Sequence, residues 1–349
     1  MRSSFKKDFF FDTRVSWSEK NLLNKKEFRN IKDFFSKKKI GNLVYVKKKI
    51  GIEANSQNFK IKIKNNHFLL KKWPINKDLG KINATLNLQK KLIELNSETP
   101  EIVKIDKKNF FKIDNRYWTL FKFINSNHFS GSLKEYKILT LAIGRLFKTL
   151  KKIRTSKKVK QIEYYKKSNL KIFKMIISKK SKWKKIFGIS LSKKLNTHFD
   201  KIEKIYYENS NFKYSKNLIQ LSHIDLHPHN ILISSGKNIT FLDIDSCLKV
   251  NPGFALSFCC LKICKQVITK NKIKNPYDQK KISKIFLKQV AKKFPDIKKL
   301  FPYFYFFSTS EVLRRILLIF DQNLKGINTW NKVLNIQINH LNEARILFK

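Results

Sequence analysis

The apolar positions of this chain change period along its length. Residues 18 to 40, "SEKNLLNKKEFRNIKDFFSKKKI", carry apolar side chains at 22, 23, 28, 31, 34 and 35. That spacing predicts a helix, with Ser18 as its N-cap. From 43 to 73 the period falls to two. "NFKIKIKNN" sets Phe59, Ile61 and Ile63 on one face and lysines on the other, and "HFLLKKW" follows after an Asn-Asn turn. This predicts a β-hairpin. "INATLNLQKKLIELN" returns to helical spacing, with Leu88, Leu92 and Leu95 on one stripe, and "EIVKIDKKNFFKIDNRYWTLFKFI" predicts two or three more strands.

Past the polar stretch "NSNHFSGS" the character shifts. Residues 132 to 215 are largely helical by period. Short strands interrupt the helices around 221 to 247, and helices resume at "ALSFCCLKICKQVI", "DQKKISKIFLKQVAKKF", "SEVLRRILLIFDQNL" (opened by Ser310) and "WNKVLNIQINHLNEARILF". A strand-rich part is thus joined to a helix-rich part by a short polar hinge.

Composition bounds this picture. The 349 residues are 42% hydrophobic and 13% aromatic, enough to bury a core and too apolar for a disordered chain. No apolar run reaches the roughly 18 residues that span a bilayer. The N-terminus has charges through its apolar part and no small-residue cleavage site, so it makes a poor signal peptide. Cys247, Cys259, Cys260 and Cys264 lack zinc-like pairing. They read as buried thiols of a cytoplasmic protein.

The net charge of +51 would ordinarily point to nucleic acid or an anionic membrane. Here Lys, Asn, Ile and Phe are all abundant while Gly numbers 9 and Pro 7, the bias of AT-rich codons. The lysines run from end to end and form no basic stripe with stacking aromatics. The charge therefore reads as compositional, and no specific nucleic-acid partner is expected.

Against that background "LSHIDLHPHNILISSGKNITFLDIDSC", residues 221 to 247, stands out. A chain with 25 acidic against 76 basic residues places Asp225, Asp243 and Asp245 within it. Asp225 and Asn230 are spaced as D-x-x-x-x-N, and a strand then ends at Asp243. Phosphoryl transfer needs such a set: a carboxylate beside the acceptor hydroxyl, and hard oxygen ligands for the metal that bridges the phosphates. Asn supplies a neutral oxygen and limits the negative charge facing the nucleotide. The bland alternative is a polar hairpin with chance carboxylates.

"HIDLHPHNIL" followed by "FLDID" resembles the catalytic-loop motif of the aminoglycoside phosphotransferase and choline kinase family, His-Gly-Asp-Leu-His-Pro-Gly-Asn-Ile-Leu and then Ile-Asp-Phe or Ile-Asp-Trp. The resemblance is tight only at 221 to 247. It implies an α+β, two-lobed protein-kinase-like fold: a small antiparallel-sheet N-lobe and a mostly helical C-lobe. Residues 1–40 would form a helical extension, 41–125 the ATP-binding N-lobe and 126–349 the C-lobe. Asp225 would be the catalytic base, His223 the brace of its loop, and Asn230 and Asp243 the Mg2+ ligands. "FLLKKW" resembles the strand bearing the ATP lysine, as Lys71 or its neighbour Lys72; alternation allows only one to face the phosphates. "EANSQNFKIKI" stands where the family covers the phosphates with glycines. Here Ala54, Asn55 and Ser56 occupy the loop, and backbone N–H groups or the Ser56 hydroxyl would meet phosphate. "LFKFIN" resembles the hinge, with backbone groups of Phe123 and Ile124 meeting adenine.

The sequence departs from the family elsewhere too. Ile224 replaces the glycine of His-Gly-Asp. "INATLNLQ" has no Glu to pair with the lysine. "VNPGFALS" replaces Gly-Asp-Pro-x-x-Asp-Leu-Ala and lacks both aspartates. Asp245 is expected to sit behind the site or on the surface, His229 on the loop surface, and "CCLKIC" and "EVLRRILLIF" in the core. The implied activity is ATP- and Mg2+-dependent phosphorylation of a small-molecule hydroxyl, on an amino alcohol, sugar or aminoglycoside-like compound. A kinase-like binding protein that has lost turnover is the alternative; a basic nucleic-acid-binding protein is a more distant one.

Overall fold

The computed structural model describes residues 5, 7, 11, 15–18, 23–49, 56–154, 159, 161–162, 164, 167–212, 218–234 and 238–349. Asn24, not Ser18, caps the first helix, α1 (Lys25–Lys37), by accepting the Glu27 N–H at 2.7 Å. The Ser18 hydroxyl instead accepts the Lys48 N–H at 2.8 Å, and the Ser18 N–H donates to the Lys48 carbonyl. A short side-chain acceptor serves whichever orphan donor it meets, and here that is a strand edge.

The N-lobe runs β1 (Leu43–Lys48), β2 (Gln57–Ile63), β3 (Asn66–Lys72), α2 (Leu79–Glu94), β4 (Ile102–Val103), β5 (Phe111–Ile113) and β6 (Arg116–Lys122). The antiparallel sheet is ordered β1-β2-β3-β6-β4, with β5 also on β6. Its hairpin turns at Lys64–Asn65, one residue before the predicted Asn-Asn, with Ile63 facing Asn66 and Lys64 taking the positive φ. Alternation gives the sheet two uses. Phe59, Ile61, Ile63, Leu70, Trp118 and Leu120 pack against Ile31 and Phe35 of α1. The opposite face meets Ile82 and Leu86 of α2 and lines a cleft. Asp78 caps α2 through the Lys81 N–H at 3.0 Å. That helix buries Leu88 and Leu92 but ends before Leu95, which is exposed.

The rest of the chain forms β7 (Asn127–His128), α3 (Leu133–Lys152), α4 (Lys167–Ser178), α5 (Trp183–Phe187), α6 (Ile189–Ser210), β8 (Gln220–His223), β9 (Ile231–Ile233), β10 (Ile239–Phe241), β11 (Cys247–Val250), α7 (Pro252–Lys270), α8 (Pro276–Lys293), α9 (Phe304–Leu324) and α10 (Asn331–Phe348). The architecture is the expected one, an antiparallel-sheet N-lobe and a helical C-lobe. α7 is buried on almost every side and carries Cys259, Cys260 and Cys264; Cys247 is buried on β11. Gly253 in its first turn is required by close approach, since a Cβ there would lie 2.5 Å from the Phe307 ring. Ser310 does not open α9: the aromatic run before it already packs in the core, so the helix starts at Phe304 and buries Ser310. No helix among the described residues is long and apolar enough to cross a membrane.

Candidate active site

A cleft of about 1110 Å³ lies between the lobes. Two small antiparallel sheets, β10-β9-β7 and β11-β8, assemble its C-lobe floor. Ile231 pairs with Phe241, so Asn230 just before β9 and Asp243 just after β10 meet at the base of one hairpin, where the Leu242 N–H donates to the Asn230 carbonyl at 2.9 Å. β8 ends at His223, opposite Cys247 of β11, and delivers Asp225 to the same cleft.

His223 is fully buried and joins the two arms. Its Nδ1 accepts the Asp225 N–H at 3.3 Å, and its Nε2 donates to the Leu242 carbonyl at 2.9 Å. One neutral tautomer satisfies both bonds. Burial lowers its pKa and keeps it neutral. The Asn230 amide donates to the Asp225 carbonyl at 2.8 Å, leaving its Oδ1 as the acceptor.

Arg315 of α9 holds the Asp225 carboxylate, Nη1 to Oδ1 at 2.9 Å, while its Nη2 meets the Ile224 carbonyl at 2.9 Å. Desolvation in the cleft would raise the Asp225 pKa; Arg315, with smaller contributions from His227 and His223, outweighs it and brings the group down to about 2. Glu311, one turn earlier on α9, receives both Arg314 and Arg315 and the Tyr164 hydroxyl. This network braces the loop in a chain without the aspartates of Gly-Asp-Pro-x-x-Asp. In their place Asn251 caps α7 through the Gly253 N–H at 2.9 Å, and Ala255 is buried.

Asp243 adopts the left-handed conformation, φ 57° and ψ 48°, and accepts the Ser246 hydroxyl at 2.6 Å. Burial, and then the neighbouring Asp245, push its pKa up. Asp245 is neither behind the site nor on the surface. It lines the cleft and pairs with Lys71 at 3.0 Å and Lys77 at 3.4 Å. Burial opposes its charge, but Lys71, the hydrogen bond with Asp243 and Lys77 hold its carboxyl below the usual range.

The strand's alternation separates the two candidate lysines. Lys71 faces the cleft, whereas Lys72 points to the opposite face and pairs with Glu27 of α1. α2 turns Thr85 and Gln89 to the cleft, where the family's helix carries Glu. Ser56, Phe123 and Ile124 also line the cleft; Ala54 and Asn55 lie outside the described residues. His229, expected on the surface, lines the cleft and stacks on His128 with ring centroids 5.1 Å apart.

Sequence comparison finds no matching protein family and no matching curated protein. Comparison of structures does. A spectinomycin phosphotransferase solved with ADP and spectinomycin aligns at a TM-score of 0.63 and 12% identity, over 92% of this chain and 97% of that one. An amicoumacin kinase solved with AMP-PNP, Ca2+ and Ami aligns at 0.59 and 14%, over 93% and 96%. A choline kinase from Streptococcus pneumoniae aligns at 0.56 and 12%, over 91% and 99%. The chain has a protein-kinase-like fold. At these identities the likeness is one of fold.

Within that kinase-like frame the donor set suits a hard divalent cation. The hairpin presents an amide oxygen and a carboxylate, and no group of three or more His, Cys, Asp or Glu able to hold a metal occurs among the described residues. Mg2+ is commonly held by one or two carboxylates and completes its octahedron with phosphate and water oxygens. Softer or zinc-like coordination does not fit these residues.

Sequence reading missed several cleft residues: Trp17, Lys77, Lys262, Arg315, Trp330 and Gln337. Arg315 alone left a trace. Glu311, Arg314 and Arg315 sit at i, i+3 and i+4 in an apolar helix, a spacing that pairs charges on one face.

Proposed function

We propose that the protein is an ATP- and Mg2+-dependent phosphotransferase acting on a hydroxyl of a small molecule. One observation carries this: Asp225, Asn230 and Asp243 converge on one cleft, with Lys71 facing them from the sheet. Lys71 reaches the nucleotide phosphates with its charge fixed by Asp245. Phe123 and Ile124 supply backbone groups for adenine, and Ser56 a hydroxyl for phosphate. Asn230 and Asp243 would hold the metal, which would supply positive charge to offset the negative charge on the transferred group.

Asp225 orients the acceptor hydroxyl. The hydroxyl oxygen bonds to the γ-phosphorus, the bond to the β,γ-bridging oxygen breaks with its electron pair leaving on ADP, and the hydroxyl proton passes to the Asp225 carboxylate. A carboxyl held near pKa 2 by Arg315 is a weak base, so it takes this proton late, in keeping with a loose transition state.

ATP consumption measured against a panel of hydroxyl compounds tests the activity. Asp225→Asn keeps the shape and removes the charge, and its kcat should fall ~100- to 10,000-fold with ATP binding retained. Asp243→Ala should abolish turnover in a protein that still melts cooperatively. Normal turnover in either folded variant would remove that residue from the site.

A further inference from the structure

The beginning of the chain ties the two lobes together beside the cleft. Phe5 is buried in the C-lobe core, and the Gln266 side chain of α7 donates to the Phe11 carbonyl at 3.3 Å. Further along, the chain is bonded to the other lobe. Trp17 bridges Lys49 in antiparallel register just past the end of β1, and Ser18 holds Lys48 by two bonds of 2.8 Å. This strap adds an edge to the N-lobe sheet where the sheet meets the cleft, and Val15, Ser16 and Trp17 all line the cleft.

The strap stands at the hinge end. The Trp17 ring lies 5.9 Å from the ring of Phe123, and the Lys60 ammonium sits 4.4 Å over that same Phe123 ring. Ser56 and Asn58, at the start of β2, line the cleft with them. Packing alone does not account for Trp17. Trp73, Trp118 and Trp183 are each 1% exposed and each fills a hydrophobic core. Trp17 stands outside those cores, half-buried on the cleft wall. An aromatic face left part-open in a cleft is apolar surface that a planar ligand can cover.

We infer that this strap is a wall of the nucleotide site and that Trp17 contacts the base, its indole stacking on the purine whose edge meets the backbone of Phe123 and Ile124. The inference rests on the phosphotransferase reading and adds a binding residue to its nucleotide site. Stacking tolerates any base, so Trp17 contributes affinity while the hinge backbone selects the base. The strap is anchored on both lobes, so the base is held by a segment that also fixes one lobe against the other.

Nucleotide binding by the full chain tests this. ADP with Mg2+ is titrated in a calorimeter, and tryptophan emission is followed in a parallel titration. ADP should quench the emission. Trp17→Phe keeps an aromatic face but removes this indole; it should lose at least half of the quench while its Kd for ADP stays within ~3-fold. Trp17→Ala should raise that Kd ~5- to 150-fold, the span of aromatic–base stacking. Cooperative melting checks that each variant folds; should Trp17→Ala fail, the wild-type and Trp17→Phe titrations decide. ADP binding without a quench, or with the whole quench retained in Trp17→Phe, overturns the stacking and keeps the phosphotransferase reading. Equal losses of affinity in Trp17→Phe and Trp17→Ala also overturn it, since the indole would then shape the wall without presenting an aromatic face. Binding of no nucleotide removes both the stacking and the phosphotransferase reading.

Discussion

Lys71 and Asp245 form a salt bridge of 3.0 Å across the cleft, joining strand β3 to the turn after Asp243. Protein kinases pair a lysine of the N-lobe sheet with a glutamate on the N-lobe helix. Here α2 has no such glutamate, and the carboxylate comes from the other lobe. The pair should therefore act as a unit. Lys71→Met and Asp245→Asn should each lower kcat/KM for ATP ~10- to 100-fold, and the double variant should lose little more than either. Additive losses would show that the two act separately. Lys72→Met, on the opposite face, should leave KM for ATP unchanged.

Glu311 is 1% exposed and balances two guanidiniums, one of which positions Asp225. Removing it strands buried charge. Glu311→Ala should destabilise the fold by ~3–5 kcal/mol in urea denaturation. A loss below ~1 kcal/mol would mean that Arg314 and Arg315 find other partners or water.

Acid should weaken the fold through its buried histidines, with Asp243, whose pKa burial and then Asp245 push up, acting in the opposite sense. Burial lowers His223 and His340, and brings His128 and His227 down to about 3. In the unfolded chain a histidine titrates near ~6.5. Below that value the unfolded state binds protons that the folded state refuses, so stability is full above pH ~6.5 and falls toward pH ~3. Each such histidine removes up to ~1.4 kcal/mol per pH unit within the window. Asp225, depressed to about 2, adds its own loss only below pH ~4. Urea midpoints at pH 7 and pH 5 check this, and equal midpoints would contradict the buried neutral state.

A compositional charge predicts little affinity for nucleic acid at working salt. Binding of a duplex DNA fragment, followed by fluorescence anisotropy, should be measurable at low ionic strength and vanish near 150 mM salt, as nonspecific phosphate contacts do. Sequence-selective binding at that salt would revive the nucleic-acid reading.

The sequence by itself determined the elements and the local part of the site. Period-two alternation gave the N-lobe sheet and hence two opposed faces. The spacing of Asp225, Asn230 and Asp243 sufficed to bring them together because one hairpin carries Asn230 and Asp243 and one short loop carries Asp225. Those contacts are nearly local, and local pattern encodes them. Helix ends were legible less well, since Ser18 and Ser310 offer good caps that other contacts claim.

Only the tertiary structure decided which partners arrive from afar. Lys71 is 174 positions from Asp245, and Asp225 is 90 from Arg315. No periodicity links such residues; the closing of one lobe on the other and the packing of α9 beneath the Asp225 loop do. The same holds for another part of the cleft, where Lys262 of α7 and Gln337 of α10 share a wall because the two helices pack together. In a chain this rich in lysine, burial is what separates Lys71 and Lys262 from the solvated majority, and burial is a property of the fold.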